Sequence, residues 1–337
     1  MIKIGYSLSS EEFAARDLVR YAAMAEQNGF EFALISDHYH PWLKKQGQSP
    51  FVWSVLGAIS QVTHKLALGT GITCPIMRIH PAIIAQAAAT AAMLLPDRFF
   101  LGVGTGENLN EHILGRHWPT IETRQEMLRE AVKIIRLLWR GGNQSYCGRY
   151  YTVEDAQVFS LPENPPPIMV AAAGTTSAEL AGQIGDGLIS TMPVENLVNK
   201  FRASNGGAGK PVFGQMTVCW AETEKEARRI AKEWWSVSPL PGRLMTQLRT
   251  PAEFEAAVSL VSEDAVASSI VCGPDPAKHI EKMEKFHHAG FDHVYIHQVG
   301  PDQEGFFRFY QRDILPHFKE TGNHAAEARS SQRETQL

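Results

Sequence analysis

The feature that most constrains the fold of this chain is a regular alternation of short apolar segments with longer amphipathic ones. This alternation is typical of strands followed by helices, because the two differ in hydrophobic period. Strands that alternate with helices are parallel and are joined by right-handed crossovers. The predicted strands are 2–8, 32–36, 66–74, 99–104, 168–172, 187–191, 212–221 and 293–299, and the predicted helices are 13–28, 51–63, 81–94, 120–139, 177–184, 194–203, 225–235, 276–289 and 304–317.

Eight strand–helix units over about 320 residues predict an α/β fold of the (β/α)8 TIM-barrel type with insertions. The alternative is a doubly wound open sheet. The first strand leads into Gly5-Tyr-Ser-Leu-Ser-Ser10, which lacks the G-x-G-x-x-G fingerprint of that fold. We therefore expect a single barrel domain over 1–320 with insertions at about 141–165 and 236–269, of which the first has the short aromatic pattern of a hairpin.

Composition and charge narrow the classes of function. Of the 337 residues 44% are hydrophobic, which supports a sizeable core, whereas 321–337 has little to bury and is predicted to be a disordered tail. The 32 Lys and Arg residues nearly balance the 36 Asp and Glu residues, so a nucleic-acid or anionic-membrane partner is not favoured.

Cysteine usage and the N-terminus indicate a compartment. The four cysteines lie far apart without a C-x-x-C pair, a pattern that favours reduced thiols over a disulfide scaffold or a structural zinc site. The N-terminus lacks the pattern of a secretory signal, and no apolar run reaches the length of a membrane span. We therefore expect a cytoplasmic protein with no membrane partner.

Polar residues that follow the predicted strands are the candidates for a site, because barrel enzymes gather their active site at the carboxyl ends of the strands. They are Ser7 and Glu11 after the first strand, 37–42 after the second, 69–73 at the third, 105–110 after the fourth, and 173–177 and 190–191 further along. Among them, His38 can act as a general base near neutral pH, or it can cap a backbone carbonyl of its loop. Glu107 can act as an acid or base over a flat ring, or it can complement a helix dipole from the first turn.

The histidines admit a further interpretation as metal ligands. His38 and His40 lie two residues apart, a spacing that suggests a metal site. No second cluster of Cys, His and acidic residues completes such a site, so no metal is predicted. The remaining candidates, His287, His288, His293 and His297, are interpreted as surface and barrel-packing residues.

A run of small residues, Ala171-Ala-Ala-Gly-Thr-Thr-Ser177, follows a strand and opens a helix. Small side chains let backbone N–H groups approach an anion, and the helix dipole favours negative charge there. The same run can also be a tight strand–helix turn in which Ser or Thr caps the helix. On the local pattern alone, a phosphate-binding loop and an ordinary turn both stay open.

Three longer motifs together carry a family resemblance. They are Ser36-Asp-His-Tyr-His-Pro-Trp42, Phe99-Phe-Leu-Gly-Val-Gly-Thr-Gly-Glu-Asn-Leu-Asn-Glu111 and Ala181-Gly-Gln-Ile-Gly-Asp-Gly187. With them the chain resembles the luciferase-like barrel superfamily, and specifically its coenzyme F420-dependent glucose-6-phosphate dehydrogenase group, from about residue 2 to residue 317. The resemblance implies a homodimeric barrel that binds F420, a deazaflavin whose C5 accepts a hydride. It therefore implies a hydride-transfer dehydrogenase of a small substrate.

The resemblance also implies roles for single residues. His38 would take the hydroxyl proton of the substrate, and Trp42 would help to orient and stabilise the developing alkoxide. Glu107 would protonate or polarise the deazaflavin ring, and Glu11 matches a further active-site acid. Ile72 lies where the family has a non-prolyl cis peptide bond that supports the ring. The residues expected to bind the cofactor are Asp37, Gly71, Ile72, Thr73, Thr105, Gly106, Asn110, Ala173, Gly174, Thr175, Ser177 and Thr191, with 173–177 holding its phosphate.

The chain departs from the sugar-phosphate enzymes where they bind the substrate phosphate through lysines and an arginine. Around those positions it has Val194, Met245 and Ser268-Ser269, with Arg243 and Arg249 nearby. Loss of charge-assisted hydrogen bonds weakens phosphate binding. We therefore expect the substrate to be a neutral, more apolar alcohol or hemiacetal rather than glucose 6-phosphate, with the direction of hydride transfer open.

Three other functions stay open. An FMN-dependent monooxygenase or reductase on the same barrel would bind a yellow flavin and consume oxygen, but the set Asp37, His38 and Glu107 argues against it. A reductase of the methylenetetrahydromethanopterin type would need a pterin pocket that the sequence does not reveal. A non-catalytic protein that keeps the deazaflavin site would bind the cofactor without turnover.

Overall fold

Eight parallel strands close into a barrel in the computed structural model, which describes residues 2–318. In chain order the strands are β1 (Lys3–Leu8), β2 (Phe32–Ile35), β3 (Ala67–Thr70), β4 (Phe99–Val103), β5 (Gln144–Cys147), β6 (Thr152–Ala156), β7 (Ile168–Ala171), β8 (Gly187–Ser190), β9 (Val212–Cys219), β10 (Val271–Cys272) and β11 (His293–Gln298). The barrel consists of β1–β4, β7–β9 and β11, and it closes where β11 pairs in parallel with β1. The antiparallel pair β5–β6 forms a separate hairpin, and β10 pairs with the end of β9.

Helices surround the barrel, and the longer ones bury one face. They are α1 (Ala15–Gln27), α2 (Val52–Ile59), α3 (Pro81–Leu94), α4 (Asn108–Glu111), α5 (Ile121–Leu138), α6 (Thr175–Ile184), α7 (Glu195–Ala203), α8 (Glu224–Trp234), α9 (Gly242–Gln247), α10 (Pro251–Val258), α11 (Glu263–Ser269), α12 (Pro276–His288) and α13 (Gln303–Phe309), with a 3-10 turn at His112–Leu114 and a π-helical turn at Tyr310–Ile314. In α1 the buried residues Leu18, Tyr21, Ala22 and Ala25 recur at helical spacing. This spacing is the amphipathic stripe that holds a helix against a barrel.

Alternate residues of the barrel strands point into the barrel and fill it. The inner cluster consists of Phe32, Leu34, Phe100, Met169, Ile189, Phe213 and Tyr295. Residues at the intervening positions, such as Tyr6 and Leu8, pack outward against the helices. Because the interior is filled by side chains, a site forms at the carboxyl ends of the strands.

One close backbone approach sets the spacing between β3 and β4. The Thr70 hydroxyl donates to the Gly102 carbonyl at 2.7 Å and accepts from the Gly102 N–H at 3.0 Å. A Cβ atom at Gly102 would lie 1.9 Å from the Thr70 carbonyl oxygen, so a side chain there would force the strands apart. The glycine therefore lets the two strand ends meet below the site.

The predicted (β/α)8 barrel is confirmed, and its strands match the expected segments to within a few residues. The third strand is shorter than predicted, because it ends at Thr70 and the Gly71–Ile72 peptide bond that follows is cis. The segment 236–269 interrupted the sequence pattern because it folds into three helices, α9 to α11, each too short to show a clear period. The two-residue strand β10 was not predicted, for the same reason.

Four predictions concern membrane spans, metal sites, the cysteines and the C-terminal tail. Within residues 2–318, no helix combines the length and the apolar character needed to cross a membrane. No group of three or more His, Cys, Asp or Glu side chains in these residues is arranged to hold a metal ion. The four cysteines all lie in the described part and are free thiols. The segment 321–337, predicted to be a disordered tail, lies outside the described residues.

Candidate active site

Glu11 lies in the loop after β1 and is buried against the loop after β2. Its Oε2 accepts hydrogen bonds from the hydroxyls of Ser9 at 3.1 Å and Ser36 at 2.5 Å. Its Oε1 lies 3.3 Å from Nε2 of His38. Burial raises the pKa of the Glu11 carboxyl, but His38, the Ser36 hydroxyl, a backbone hydrogen bond and His297 together lower it by more, so the net pKa lies below the ordinary value. Glu11 is therefore a carboxylate held beside an imidazole.

The ring of His38 is positioned by contacts at both of its nitrogens. Its Nδ1 lies 3.2 Å from the His40 carbonyl oxygen, while Nε2 faces Glu11. The carbonyl and the carboxylate are both hydrogen-bond acceptors, so the two contacts orient the ring from both sides. The contact at Nδ1 is the carbonyl cap that one interpretation of His38 requires, and the general-base role stays a prediction.

Trp42 joins His38 to an apolar cluster that the segment 236–269 contributes. Its ring lies edge to face with the ring of His38 at 4.9 Å and with that of Phe254 at 5.1 Å between centroids. The cluster, which we call the Trp42 cluster, consists of Trp42, Leu43, Leu109, Val237, Phe254 and Val258, with Trp235, Leu240, Met245, Leu248 and Val261 packed against it. On the side of Trp42, His38 therefore borders an apolar cluster.

Asp37, expected to contact the cofactor, has both carboxylate oxygens bound within the protein. Oδ2 accepts from the Thr73 hydroxyl at 2.8 Å, and Oδ1 accepts from the Arg78 guanidinium at 2.8 Å. The backbone N–H of Arg78 donates to Glu111 Oε2 at 2.7 Å, and its Nε lies 3.5 Å from Glu111 Oε1. Arg78 therefore links the loops after β2, β3 and β4. Arg78 is a residue of the site that no sequence pattern indicated, although its partner Glu111 closes one of the family motifs.

The carboxyl group of Glu111 is buried next to the Arg78 guanidinium. Burial raises the pKa of Glu111 to about 7, because it outweighs the lowering effect of Arg78. Burial also lowers the pKa of Arg78, but Asp37 and Glu111 raise it by more, so the guanidinium stays charged. Glu111 therefore changes its charge near neutral pH while its partner does not.

Glu107 and Asn110 lie at the helical turn α4, where Asn110 is buried. The Asn110 side-chain oxygen accepts from the backbone N–H groups of Tyr39 and His40 at 2.9 and 3.2 Å. Its amide nitrogen donates to Glu107 Oε2 at 3.3 Å. Asn110 thus holds the loop that carries His38 and orients Glu107, and both of its polar atoms are used inside the protein.

The other residues expected to bind the cofactor differ widely in exposure. Thr73 and Gly106 are buried, Gly71, Ile72, Thr105 and Ser177 are half-buried, and Ala173, Gly174, Thr175 and Thr191 are exposed. The carbonyl oxygens of Thr105 and Gly106 accept from Arg124 at 3.3 and 3.1 Å. The contacts of the structure bring together Glu11, His38 and Trp42 directly and join Glu107 to them through Asn110. They do not join the segment 173–177 or Thr191 to that group.

The N-terminus of α6 opens toward solvent. The N-cap of the helix is Gly174, so neither Ser nor Thr is the cap that the ordinary-turn interpretation expected. The Ser177 hydroxyl, in the first turn, accepts instead from the Gly174 N–H at 3.2 Å. A Cβ atom at Gly174 would meet no atom within 4 Å, so the space in front of the turn is open. Exposed N–H groups at a helix N-terminus suit a phosphate. The residues present therefore fit the phosphate of a nucleotide-like cofactor as well.

Comparison with known proteins places this arrangement in a family. The family model described as "Luciferase-like monooxygenase" matches residues 1–293. A relative from Beutenbergia cavernae is 33% identical over 330 residues, which cover 95% of this chain and 98% of the relative. One from Mycobacterium tuberculosis is 34% identical over 334 residues, which cover 95% and 99%. Both carry the name F420-dependent glucose-6-phosphate dehydrogenase.

Solved structures give a similar result. An F420-dependent secondary alcohol dehydrogenase in complex with an F420–acetone adduct matches with a TM-score of 0.86 and 29% identity over 93% of this chain and 98% of that one. The coenzyme F420-dependent tetrahydromethanopterin reductase from Methanopyrus kandleri matches with a TM-score of 0.77 and 24% identity, over 94% and 99%. At that identity the second match shows a common fold only.

The Glu111→Gln substitution tests the buried carboxyl through the pH dependence of stability. Because the pKa of Glu111 rises from about 4.5 to about 7 on folding, the folded chain binds more protons than the unfolded chain, and stability falls as pH rises between these values. The variant lacks this titration. As pH rises across this range, the free energy of unfolding of the variant minus that of the wild type should therefore increase by up to about 1.4 kcal/mol per pH unit.

Urea unfolding near the two ends of this pH range measures the difference. Glu154→Gln, at an exposed position of β6, is the matched control and should follow the wild type. A Glu111→Gln difference that does not change with pH would contradict the assignment.

Proposed function

This chain belongs to the luciferase-like monooxygenase family, and we propose that it transfers a hydride between a neutral, apolar alcohol and coenzyme F420. The resemblance inferred from its motifs is confirmed by the family match over residues 1–293. Relatives at 33% and 34% identity over 95% of the chain carry F420 dependence in their names. The chain is accordingly an F420-dependent dehydrogenase, and the identity of its substrate is the part that we propose.

The observation that carries the proposal is the contact of His38 with a buried carboxylate on one side and an apolar wall on the other. Glu11 lies 3.3 Å from Nε2 of His38, and Trp42 packs against the same ring. A base next to a hydrocarbon wall suits the oxidation of an alcohol that carries no charge. An FMN-dependent monooxygenase is the alternative, but the FMN-bound structure that matches shares only 17% identity and carries the fold alone.

When bound, F420 supplies a deazaflavin carbon, C5, that accepts or gives a hydride. The chain has small or half-buried residues for it at the ends of β3 and β4, among them Gly71 and Ile72. The open N-terminus of α6, after Gly174, suits its phosphate. Asp37 acts through its neighbours, since Thr73 and Arg78 occupy both of its oxygens.

The side chains of the site support removal of the hydroxyl proton of the substrate. We assign this proton to the imidazole of His38, whose Nδ1 contacts the His40 carbonyl and whose Nε2 lies beside Glu11. The imidazolium that results faces the Glu11 carboxylate, which stabilises its charge. Trp42 fixes one face of the imidazole and borders the place of the substrate carbon. Asn110 orients Glu107, which we assign to the cofactor ring.

We infer the substrate class from the apolar residues that the segment 236–269 packs behind Trp42. Phe254, Val237 and Met245 bring only hydrocarbon and thioether surface to the Trp42 cluster. The two cations of the segment, Arg243 and Arg249, are exposed on and just after α9. Without a buried cation, a phosphate group would lose its charge-assisted hydrogen bonds. We therefore assign a neutral secondary alcohol or hemiacetal rather than a sugar phosphate.

We further propose that two copies of the chain associate through α2 and α3 and that the protein is cytoplasmic. Phe51 and Ile83 are each 56% exposed, Met93 is 50% exposed and Leu94 is 43% exposed. Phe51, Ile83 and Leu94 border a largely apolar groove of about 280 Å³. Contiguous exposed apolar surface of this kind is typical of an interface. The four free cysteines suit a reducing compartment.

Cofactor and substrate are tested together by titrating the protein with F420 and, separately, with FMN while tryptophan fluorescence is recorded. We expect binding of F420 and little binding of FMN. A panel of secondary alcohols is then screened by loss of deazaflavin absorbance. Each added methylene should raise kcat/KM by about fourfold until the pocket is filled, since burial of a methylene contributes about 0.8 kcal/mol. Preference for FMN, or for glucose 6-phosphate over every neutral alcohol, would overturn the proposal.

The His38→Ala substitution tests the proton acceptor. We expect the F420 affinity to stay near that of the wild type and kcat to fall by about 10²-fold or more, the usual scale for loss of a general base. Steady-state kinetics and a fluorescence titration measure the two quantities. His64→Ala, at an exposed position after α2, is the matched control. Unchanged turnover in His38→Ala would remove this residue from the mechanism.

The Ile83→Glu substitution tests the proposed dimer. A carboxylate in the α2–α3 groove should prevent this surface from being buried in a dimer, because a buried unpaired carboxylate is unfavourable. Light scattering after size-exclusion chromatography should give twice the mass of one chain for the wild type and the mass of one chain for the variant. A wild type that elutes as a monomer would contradict the proposal.

A further inference from the structure

A second carboxylate–imidazole pair, Glu12 with His297, lies next to the pair formed by Glu11 and His38. Glu12 Oε2 lies 2.7 Å from Nε2 of His297, and the two side chains are 0% and 2% exposed. Glu12 Oε1 accepts from the Gly300 N–H at 3.2 Å. Both oxygens of Glu12 are thus bound to residues at or just after the end of β11.

The position of His297 inside the barrel follows from the alternation along β11. Tyr295 belongs to the inner cluster, and His293 stacks on the inner residue Phe213 at 4.3 Å. His297 is two residues further on and therefore points to the same side, toward the carboxyl end of the barrel. Its ring packs edge to face on Trp235, at 4.4 Å between centroids. The sequence interpretation of His297 as a packing residue was therefore incomplete, because the ring also binds Glu12.

Glu11 and Glu12 are consecutive residues that bind opposite neighbours of β1. Glu11 contacts Ser36 and His38, which follow β2, whereas Glu12 contacts His297 and Gly300 at β11. The loop after β1 is therefore fixed from both sides. Loss of the contacts that Glu12 makes with His297 and Gly300 would therefore shift the backbone that also carries Glu11.

We propose that Glu12 and His297 form a positioning pair that keeps the Glu11 carboxylate in contact with His38. The inference rests on the proposed function insofar as His38 is the base. Neither Glu12 nor His297 touches the reacting atoms in this role. They act through Glu11, whose distance from Nε2 of His38 they set.

The charged groups around Glu11 are few and can be separated by mutation. His38 faces it from the loop after β2 and His297 from β11, and both lower the pKa of Glu11. Glu12 faces away from it toward His297, while Asp37 is bound to Arg78 and Thr73. The Nδ1 atom of His297 is buried and has no hydrogen-bond partner among the described residues. The test must therefore distinguish a positioning role of Glu12 from a direct effect of its charge on Glu11 and His38.

The experiment compares Glu12→Ala, which removes both the charge and the contacts, with Glu12→Gln, which removes only the charge. A glutamine keeps an oxygen for the Gly300 N–H and an amide that can bond to His297. Glu281→Ala, at an exposed position of α12, is the control. The first measurement needs neither cofactor nor substrate. Tryptophan fluorescence of each protein is followed against pH. The same curve is recorded for the corresponding protein that also carries the His38→Ala substitution.

The difference between the two curves reports the contact of the His38 ring with Trp42. We expect Glu11→Gln to change this difference, because it alters the side chain that lies against His38. Glu12→Ala should change it in the same direction, by less than Glu11→Gln. Glu12→Gln should change it by much less than Glu12→Ala.

Kinetics give the second readout. The kcat of Glu12→Ala should fall by about tenfold while KM stays near that of the wild type, since misplacement of a catalytic group can cost up to 10²-fold. Glu12→Gln should keep most of the wild-type kcat. In the double variant Glu11→Gln/Glu12→Ala, the second change should add nothing to the first, because Glu12 acts through Glu11. Additive effects in the double variant would overturn the proposal, as would equal effects of Glu12→Ala and Glu12→Gln.

If Glu12→Ala fails to fold, two variants of His297 carry the same test. His297→Gln keeps an amide donor near the place of Nε2 and should resemble the wild type. His297→Asn loses that contact and should resemble Glu12→Ala. The reverse order would overturn the positioning role. If the wild type shows the His38-dependent fluorescence difference but no F420-dependent turnover, the proposed function fails while the fluorescence comparison still decides this inference.

Discussion

The buried guanidinium of Arg78 is the interaction on which the arrangement of the site depends. It binds Asp37 in the loop after β2, and Arg78 also contacts Glu111 in the turn after β4 through its backbone N–H. Removing one partner from a buried ion pair leaves an uncompensated charge, at a cost of about 3–5 kcal/mol. The loops that carry His38 and Glu107 are therefore both bound to Arg78. Neither can move without disturbing the other.

Much of the fold and the centre of the site could be predicted from the sequence. Periodicity identified the barrel strands, and the rule that active sites form at strand ends brought Glu11 and His38 together correctly. Arg78 could not be found in this way, since it lies in an irregular loop and its role depends on two partners distant in sequence. The interior position of His297 required the register of β11, which a short apolar run does not reveal. The helices α9 to α11 were missed because each has fewer than three turns.

Different parts of the chain build the candidate site. Glu11, His38 and Glu107 come from the loops after β1, β2 and β4, which buried hydrogen bonds hold in place. The apolar cluster around Trp42 takes Val237 and Phe254 from the segment 236–269. Such a division lets relatives keep one cofactor reaction while their substrates differ. A shared name among relatives is therefore weaker support for a substrate than for a cofactor.

The contact between Glu12 and His297 spans 285 residues of the chain, which affects how the protein is made. At a synthesis rate of about 5–20 residues per second, β11 leaves the ribosome on the order of half a minute after β1. During that interval β1 has one unpaired edge and Glu12 lacks its imidazole. The nascent chain then exposes a ready template for pairing with another strand. The pairing of β11 with β1 that completes the site thus also requires that the free edge of β1 be protected during synthesis.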